Sequence, residues 1–201
     1  MLYSMLDTGN YFVIPGSPIE FWAAERYSKT HSKCQLRKES GFDNDDFLVV
    51  ILENSFFYHD LAWDYALALH DLGHLLLKYV GLNDIGFKSK FIFLCGNSSK
   101  DYIDALQDVA AHLGLSQVSL KHYGLDSDVN GIIMMADIVL YDSSQDVQGF
   151  PPLLTRAMSF GISIIVSDYR VIRKYVVDGV HGIIFSKNDP ESRLISDGKL
   201  S

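Results

Sequence analysis

The chain has 201 residues and a formal net charge of −8 at pH 7. This length supports one well-packed domain, and no apolar stretch approaches the roughly 18 residues that cross a membrane. The acidic balance argues against a nucleic-acid-binding protein, because such proteins need a basic surface to replace the counterions of the phosphates. We therefore expect no nucleic acid partner and no direct membrane contact from this segment.

The two cysteines, Cys34 and Cys95, are far apart in the sequence and fit neither a metal-binding nor a disulfide pattern. The N-terminus has no basic segment before an apolar core, so no secretory signal is predicted. Together these features predict a soluble chain in a reducing compartment and leave its location open.

Short apolar runs of strand length recur along the chain, at 11–14, 47–52, 91–95, 118–120, 137–141, 162–166 and 182–185. Stretches with helical spacing of apolar residues lie between most of them, at 61–79, 101–113, 129–136, 152–160 and 170–177. Strands that alternate with helices indicate βαβ crossovers and a parallel sheet covered on both faces. We therefore predict an α/β fold with a Rossmann-like, doubly wound parallel sheet.

Residues 15–46 have no sustained helical spacing of apolar residues. We predict that residues 1–46 are an interdomain linker and connecting element, with a short helix near 32–40, and that residues 47–201 form the domain. The covering helices that normally follow the last strand of such a domain are missing, so we expect the domain to be incomplete at its C-terminus. Asp137, just before a predicted strand, is expected to hydrogen-bond nearby backbone.

Ligands of open parallel sheets bind beyond the carboxyl ends of the strands. In the stretch "DVQGFPPLL" at 146–154, Gly149 is followed by two prolines that suit the first turn of a helix. A helix N-terminus presents free N–H groups and about half a positive charge, which favour a phosphate. A phosphate site is therefore one interpretation of this stretch, and a plain tight turn before a helix is the other.

The order of the motifs resembles the C-terminal half of glycosyltransferase family four, which has the two-domain GT-B architecture. The resembling segments are "YFVIPGSPI", "FLCGN", "VSLKHYGLDSDVNGIIMMADIVLYDSSQDVQGFPPLLTRAMSFGISIIVSD" and "VVDGVHGIIF". They follow the family's motifs in register from about residue 11 to residue 191 and are most similar to large plant members of the group.

This resemblance implies the donor half of a retaining hexosyltransferase, which binds a nucleotide-sugar, usually UDP-linked, and requires no metal or other cofactor. It also implies that the acceptor binds in an N-terminal domain missing here, so we expect the isolated chain to be inactive. Plant relatives are often Golgi or membrane associated through N-terminal segments that this chain lacks.

The resemblance also implies which residues bind the donor. Gln148 and Arg156 stand where the family has a glutamate on the sugar and a glutamate on the ribose, and Asn54 and His59 stand where an arginine and a lysine hold the diphosphate. The other implied donor-binding positions are Gly96, Asn97, Ser98, Gly149, Phe150 and Pro151. No catalytic residue is assigned. Arg173 and Lys174 replace a proline and a glutamate of the family pattern.

These replacements change the available chemistry. Gln148 can hydrogen-bond a sugar hydroxyl but cannot offer a charge-assisted bond, which is roughly twice as strong. Arg156 cannot accept from ribose hydroxyls, since guanidinium only donates, but it could turn toward the diphosphate, assisted by protonated His59. The replacements also favour two alternatives: a degenerate GT-B-like pseudoenzyme or protein-interaction module, and a truncated product with no independent role.

The pair His70 and His74 in "HDLGH" has the spacing of a zinc-binding helix, but the sequence offers no apparent third ligand. We predict surface or capping histidines and no metal site. The sequence has no G-x-S-x-G elbow, and "CGNSSK" is too short and wrongly spaced for a Walker loop.

Overall fold

The computed structural model describes residues 18–52, 89–94, 96, 120–141 and 149–185. Its helices are α1 (Pro18–Thr30), α2 (Lys33–Glu39), α3 (Val129–Met135) and α4 (Pro152–Ser159), and a 3-10 helix covers Ile172–Lys174. Its strands are β1 (Phe47–Leu52), β2 (Ser89–Leu94), β3 (Leu120–Tyr123), β4 (Ile138–Tyr141), β5 (Ser163–Ser167) and β6 (Gly182–Phe185). The predicted elements at 11–14, 61–79 and 101–113 lie outside the described residues.

The strands of the described residues form one parallel sheet in the order β3-β2-β1-β4-β5-β6. The chain builds outward from β1 through β2 to β3 and then crosses back to β4, so the topological switch point lies between β1 and β4. Strand β1 is buried from Leu48 to Leu52, as expected for a central strand covered on both faces. The predicted α/β fold with a doubly wound parallel sheet is confirmed.

Most of the predicted elements that can be compared are present, with small shifts of their ends. The bounds of β1 and β6 match the prediction. Strand β3 spans Leu120–Tyr123, and of the strand predicted at 118–120 only residue 120 lies among the described residues. The helix predicted at 170–177 is wrong, because only Ile172–Lys174 is helical and in 3-10 form. Ile172 and Val176 are both buried four residues apart, which gives the sequence its helical spacing without a longer helix.

Helix α1 is an element that the sequence analysis missed. In its described side chains only Ala24 is buried, and Phe21 and Trp22 are exposed, so no apolar stripe marks it. The short helix predicted near 32–40 is confirmed as α2, and Leu36 of this helix packs in the same core cluster as the strands. The domain boundary at residue 46 remains a prediction.

A glycine turn sets the direction of α4. Gly161 has a φ of 71°, its N–H donates to Met158 O at 3.0 Å, and the Ile162 N–H donates to Ala157 O at 3.0 Å. This pair of bonds is a Schellman motif, which ends the helix and leads straight into β5. Because β5 begins at the amino edge of the sheet, the other end of α4 points toward the carboxyl edge.

Side-chain contacts attach α1 to the rest of the fold. The Tyr27 hydroxyl donates to the carboxylate of Asp128, which also caps α3 by accepting from the Gly131 N–H at 3.1 Å. The Tyr27 ring meets the ring of Phe160, at the C-terminal end of α4, with centroids 6.3 Å apart. In the ranges that the structure describes, no helix is both long enough and apolar enough to cross a bilayer.

Candidate functional site

The carboxyl ends of the central strands meet at one edge of the sheet. Leu52 of β1 lies opposite Leu94 of β2 and Tyr141 of β4, and Tyr141 lies opposite Val166 of β5. In a parallel doubly wound sheet, this edge is where ligands bind. We therefore take the carboxyl edge as the candidate site.

The first turn of α4 opens toward this edge without a side-chain cap. Pro151 is the N-cap residue, with φ −62° and ψ 126°, and no side chain caps the turn. The Pro151 carbonyl accepts from the N–H groups of Leu154 and Thr155 at 3.1 and 3.3 Å. Because a helix start carries a partial positive charge, this end of α4 favours an anion.

Gly149, two residues before the N-cap, lies in open space. It is exposed, and a Cβ built on it would meet no atom within 4 Å. The absence of a side chain allows a ligand to approach the backbone closely at this point. The turn is therefore open at the place where the sequence predicted an anion.

The next residue, Phe150, joins this turn to the loop after β5. Its half-buried ring meets the ring of Tyr175 edge to face, with centroids 5.2 Å apart. Such aromatic pairs add about 0.5–1.5 kcal/mol beyond the area that they bury. The contact holds the start of α4 against the loop of residues 168–175, which we call the β5 loop.

The β5 loop carries a two-point ion pair. Arg173 donates from Nη2 to Asp168 Oδ2 at 2.6 Å and from Nε to Asp168 Oδ1. The hydrogen bonds from Arg173 lower the pKa of Asp168 against the smaller opposing effect of burial, and Asp168 raises the pKa of Arg173. Both groups are therefore charged at neutral pH, and their charges cancel locally.

Gly96 lies at the same edge, two residues after β2. It is exposed and has a φ of 58°, in the left-handed region that favours glycine. Its carbonyl accepts from the Leu125 N–H at 2.9 Å and so ties the end of β2 to the turn after β3.

The opposite, amino edge is closed by a buried hydrogen-bond network. Arg37 donates to the carbonyls of Met135, Asn44 and Asp46 and to Asp137 Oδ2, at 2.6–3.1 Å. Asp137 also accepts from Lys33 Nζ at 2.7 Å and from the Leu48 N–H at 2.8 Å. The predicted hydrogen bond of Asp137 to nearby backbone is thus confirmed.

The network also affects the ionisation of Asp137. Partial burial by itself would raise the pKa of this carboxyl group, but the hydrogen bonds from Lys33, the Leu48 N–H and Arg37 together lower the pKa below its ordinary value. The amino edge is therefore a structural joint between α2, β1 and β4, in which Asp137 is paired with both Lys33 and Arg37.

The structure brings part of the predicted set of donor-binding residues together. Gly96, Gly149, Phe150 and Pro151 lie at the carboxyl edge. Arg156 is half-buried in the last turn of α4, one turn from the start of the helix. Asn54, His59, Asn97, Ser98 and Gln148 lie outside the described residues, and a role in donor binding remains a prediction for all ten positions.

Sequence reasoning placed residues 167–170 at this edge, but it missed Tyr175 and the pairing of Asp168 with Arg173. Arg173 was noted as a departure from the family pattern, but five residues separate it from Asp168, which is not a helical contact distance. A motif comparison therefore had no reason to pair them. Among the described residues, no group of three His, Cys, Asp or Glu side chains is placed to bind a metal.

Three solved structures illustrate what the chain is similar to. WaaG, a glycosyltransferase involved in lipopolysaccharide biosynthesis, has a TM-score of 0.61 at 17% identity, over 92% of this chain and 45% of that one. HepE from Anabaena, in complex with UDP-glucose, has a TM-score of 0.55 at 18% identity, over 91% and 42% of the two chains. The C-terminal domain of LpcC, a glycosyl transferase group 1 family protein from Francisella tularensis, has a TM-score of 0.54 at 15% identity, over 85% and 86%.

The chain thus spans less than half the length of WaaG and HepE, and at these identities the likeness shows the fold. No curated protein sequence matches the chain. The family model for glycosyl transferases group 1 matches residues 74–194, which is more than half of the chain. The chain therefore belongs to the glycosyl transferases group 1 family and has the fold of GT-B glycosyltransferases.

Proposed function

We propose that this chain is the donor half of a retaining glycosyltransferase of family four and that it binds a UDP-sugar at the carboxyl edge. The observation that carries the proposal is the uncapped start of α4, which opens beside the exposed Gly149. The UDP-glucose bound to HepE, a protein with the same fold, supports a nucleotide-sugar as the ligand. The narrower affiliation with family four and its large plant members is supported by the order of the sequence motifs.

The proposed binding mode uses main-chain groups first. The diphosphate lies at the start of α4, where the peptide dipoles and the N–H of Leu153 favour negative charge. Pro151 and Pro152 have no N–H group, and the N–H groups of Leu154 and Thr155 already donate to the Pro151 carbonyl. Gly149 permits close approach, and Phe150 is fixed by its contact with Tyr175. No metal is needed in this scheme, because the backbone supplies the positive potential.

The side chains in the proposed site complete the recognition. Gln148 hydrogen-bonds the sugar, Arg156 donates to the diphosphate, and Asn54 and His59 stand at the positions of the family's clamp cations. Gly96 lies two residues after β2, and Asn97 and Ser98 are the next two residues in the sequence. Transfer needs an acceptor bound by a further domain, so the isolated 201-residue chain is proposed to be inactive. Sugar transfer by the isolated chain would overturn that part of the proposal.

Isothermal titration calorimetry with UDP and UDP-glucose tests the donor site. We expect saturable binding and a loss of about tenfold in UDP affinity in Arg156→Ala, the equivalent of one charge-assisted hydrogen bond. Arg26→Ala is the matched control, because Arg26 is an exposed arginine on α1. Equal affinity in the two variants would remove Arg156 from the site.

A second candidate function is a protein-interaction module that keeps the GT-B shell without binding a donor. It is favoured by the presence of a cation, Arg156, where the resemblance expects the glutamate that binds ribose. A folded chain that gives no heat with millimolar UDP or UDP-glucose would favour the module over the donor site.

A further inference from the structure

The β5 loop is basic in an acidic chain. It contains the cations Arg170, Arg173 and Lys174 and a single carboxylate, Asp168, whereas the whole chain has a net charge of −8. Asp168 directly follows β5 and so lies at the carboxyl edge of the sheet. The Phe150–Tyr175 contact ties the same loop to the start of α4.

A bare carboxylate at this position would repel the diphosphate of the proposed ligand. Arg173 removes that charge through its side-on, two-point contact with both carboxylate oxygens. This geometry is the strong, orientation-specific form of the arginine–carboxylate pair. The pair links the first residue of the loop to the 3-10 helix.

We propose that Arg173 is a positioning residue of the nucleotide-sugar site, which acts through Asp168 by neutralising its carboxylate beside the diphosphate. This inference rests on the proposed function. UDP affinity therefore depends on the neutralisation of Asp168 by Arg173, whereas the affinity for uridine, which is uncharged, does not.

The expected effect is modest because the pair is exposed. The Arg173 side chain is 61% exposed and that of Asp168 is 29% exposed, so water and salt screen both charges. For a screened, exposed carboxylate beside a diphosphate, we expect a change of about two- to fivefold in affinity.

A double-mutant cycle tests the inference, with UDP affinity measured calorimetrically at low salt. Arg173→Met should weaken UDP binding by about two- to fivefold, Asp168→Asn should bind UDP as tightly as the wild type or tighter, and the double variant should return to within about twofold of the wild type. The loss in Arg173→Met should shrink at about 0.5 M salt and should be absent with uridine as the ligand.

A remote ion pair provides the control. Lys29 and Glu25 form an exposed pair at 2.7 Å on α1, so Lys29→Met removes a paired cation away from the carboxyl edge and should leave UDP affinity unchanged. A thermal unfolding curve of each variant checks that it is folded. If Arg173→Met does not fold, the UDP affinity of Asp168→Asn still tests the inference.

The results separate this inference from the proposed function. UDP binding by the wild type with no change in Arg173→Met would overturn the role of Arg173 alone, and so would a double variant as weak as Arg173→Met. A folded wild type that does not bind UDP would overturn the proposed function and the role of Arg173 with it.

Discussion

Each edge of the sheet has an arginine–aspartate pair, and the two pairs differ in their surroundings. At the amino edge Arg37 is 4% exposed and donates to three carbonyls as well as to Asp137. At the carboxyl edge the Arg173 side chain is 61% exposed, and it closes an ion pair with Asp168 on a surface loop. The same two functional groups thus stabilise the fold at one edge and are available to shape a ligand's electrostatic surroundings at the other.

Gly182 and Gly149 show a similar difference between a residue required by the fold and a residue open to a ligand. A Cβ on Gly182, the first residue of β6, would lie 2.3 Å from the backbone oxygen of Ile164 in β5, whereas a Cβ on Gly149 would meet nothing within 4 Å. Gly182 is required by packing within the sheet, and Gly149 is not required by packing at all. The open space beside Gly149 is compatible with the close approach of a ligand that the proposed donor site requires.

The largest expected effect comes from removing the buried arginine. Arg37→Met leaves the Met135, Asn44 and Asp46 carbonyls without the donors that they have in the structure, and Asp137 loses one partner. We expect the free energy of unfolding to fall by about 3 kcal/mol or more, as when a buried ion pair is broken. Urea denaturation followed by circular dichroism measures this change.

Two controls turn this result into a test of the comparison. Lys38→Met, at the next and exposed position of α2, should change the free energy of unfolding by less than about 0.5 kcal/mol. Arg173→Met should cost less than about 1 kcal/mol, because its pair is at the surface. Equal losses for Arg37→Met and Arg173→Met would contradict the assignment of stability to the amino edge.

The next largest effect on the free energy of unfolding is expected from substitution of Gly182, with Gly149 as its comparison. Gly182→Ala should lower the free energy of unfolding by about 1–3 kcal/mol, because β5 and β6 must separate to accept the methyl group. Gly149→Ala should have a free energy of unfolding within about 0.5 kcal/mol of the wild-type value. It should still weaken UDP binding, because its methyl group occupies space proposed for the ligand. Urea denaturation and calorimetry on both variants measure the two properties separately.

The smallest expected effect is the pH dependence of the amino edge. Because the pKa of Asp137 is lowered in the folded state, its stabilising contribution is complete above the ordinary aspartate pKa of about 3.9 and is lost as the pH falls through the lower folded value. The difference in unfolding free energy between the wild type and Asp137→Asn should be constant from pH 7 to about pH 5 and then narrow toward pH 3. A constant difference down to pH 3 would show that the charge of Asp137 does not contribute.

The sheet could be predicted from the sequence because its strands are apolar on both sides and are separated by helical spacing. Strand β1 is the clearest case, since five of its six residues are buried. Helix α1 gave no such signal, because it meets the domain through a few side chains, such as Ala24 and Tyr27, and leaves Phe21 and Trp22 exposed. A helix without an apolar stripe is not distinguished from a connecting segment by periodicity.

The part of the candidate site that the backbone forms could be predicted from the sequence. Gly149 and Pro151 stand in a sequence pattern that itself indicates a strand-to-helix turn, and the structure has that turn at the carboxyl edge. The Asp168–Arg173 pair was not predictable, because the loop that brings the two side chains together has no regular spacing. The roles of Asn54, His59, Asn97, Ser98 and Gln148 remain predictions from the family resemblance.

The central claim is that the carboxyl edge, and not the amino edge, binds the diphosphate of a nucleotide-sugar. Titration of the isotope-labelled chain with UDP, followed by amide chemical shifts in NMR spectra, tests it most directly. We predict saturable shifts at Gly149, Phe150 and Leu153 and unchanged amides at Leu48 and Asp137. Shifts confined to the amino edge, or no shifts at millimolar UDP, would contradict the claim.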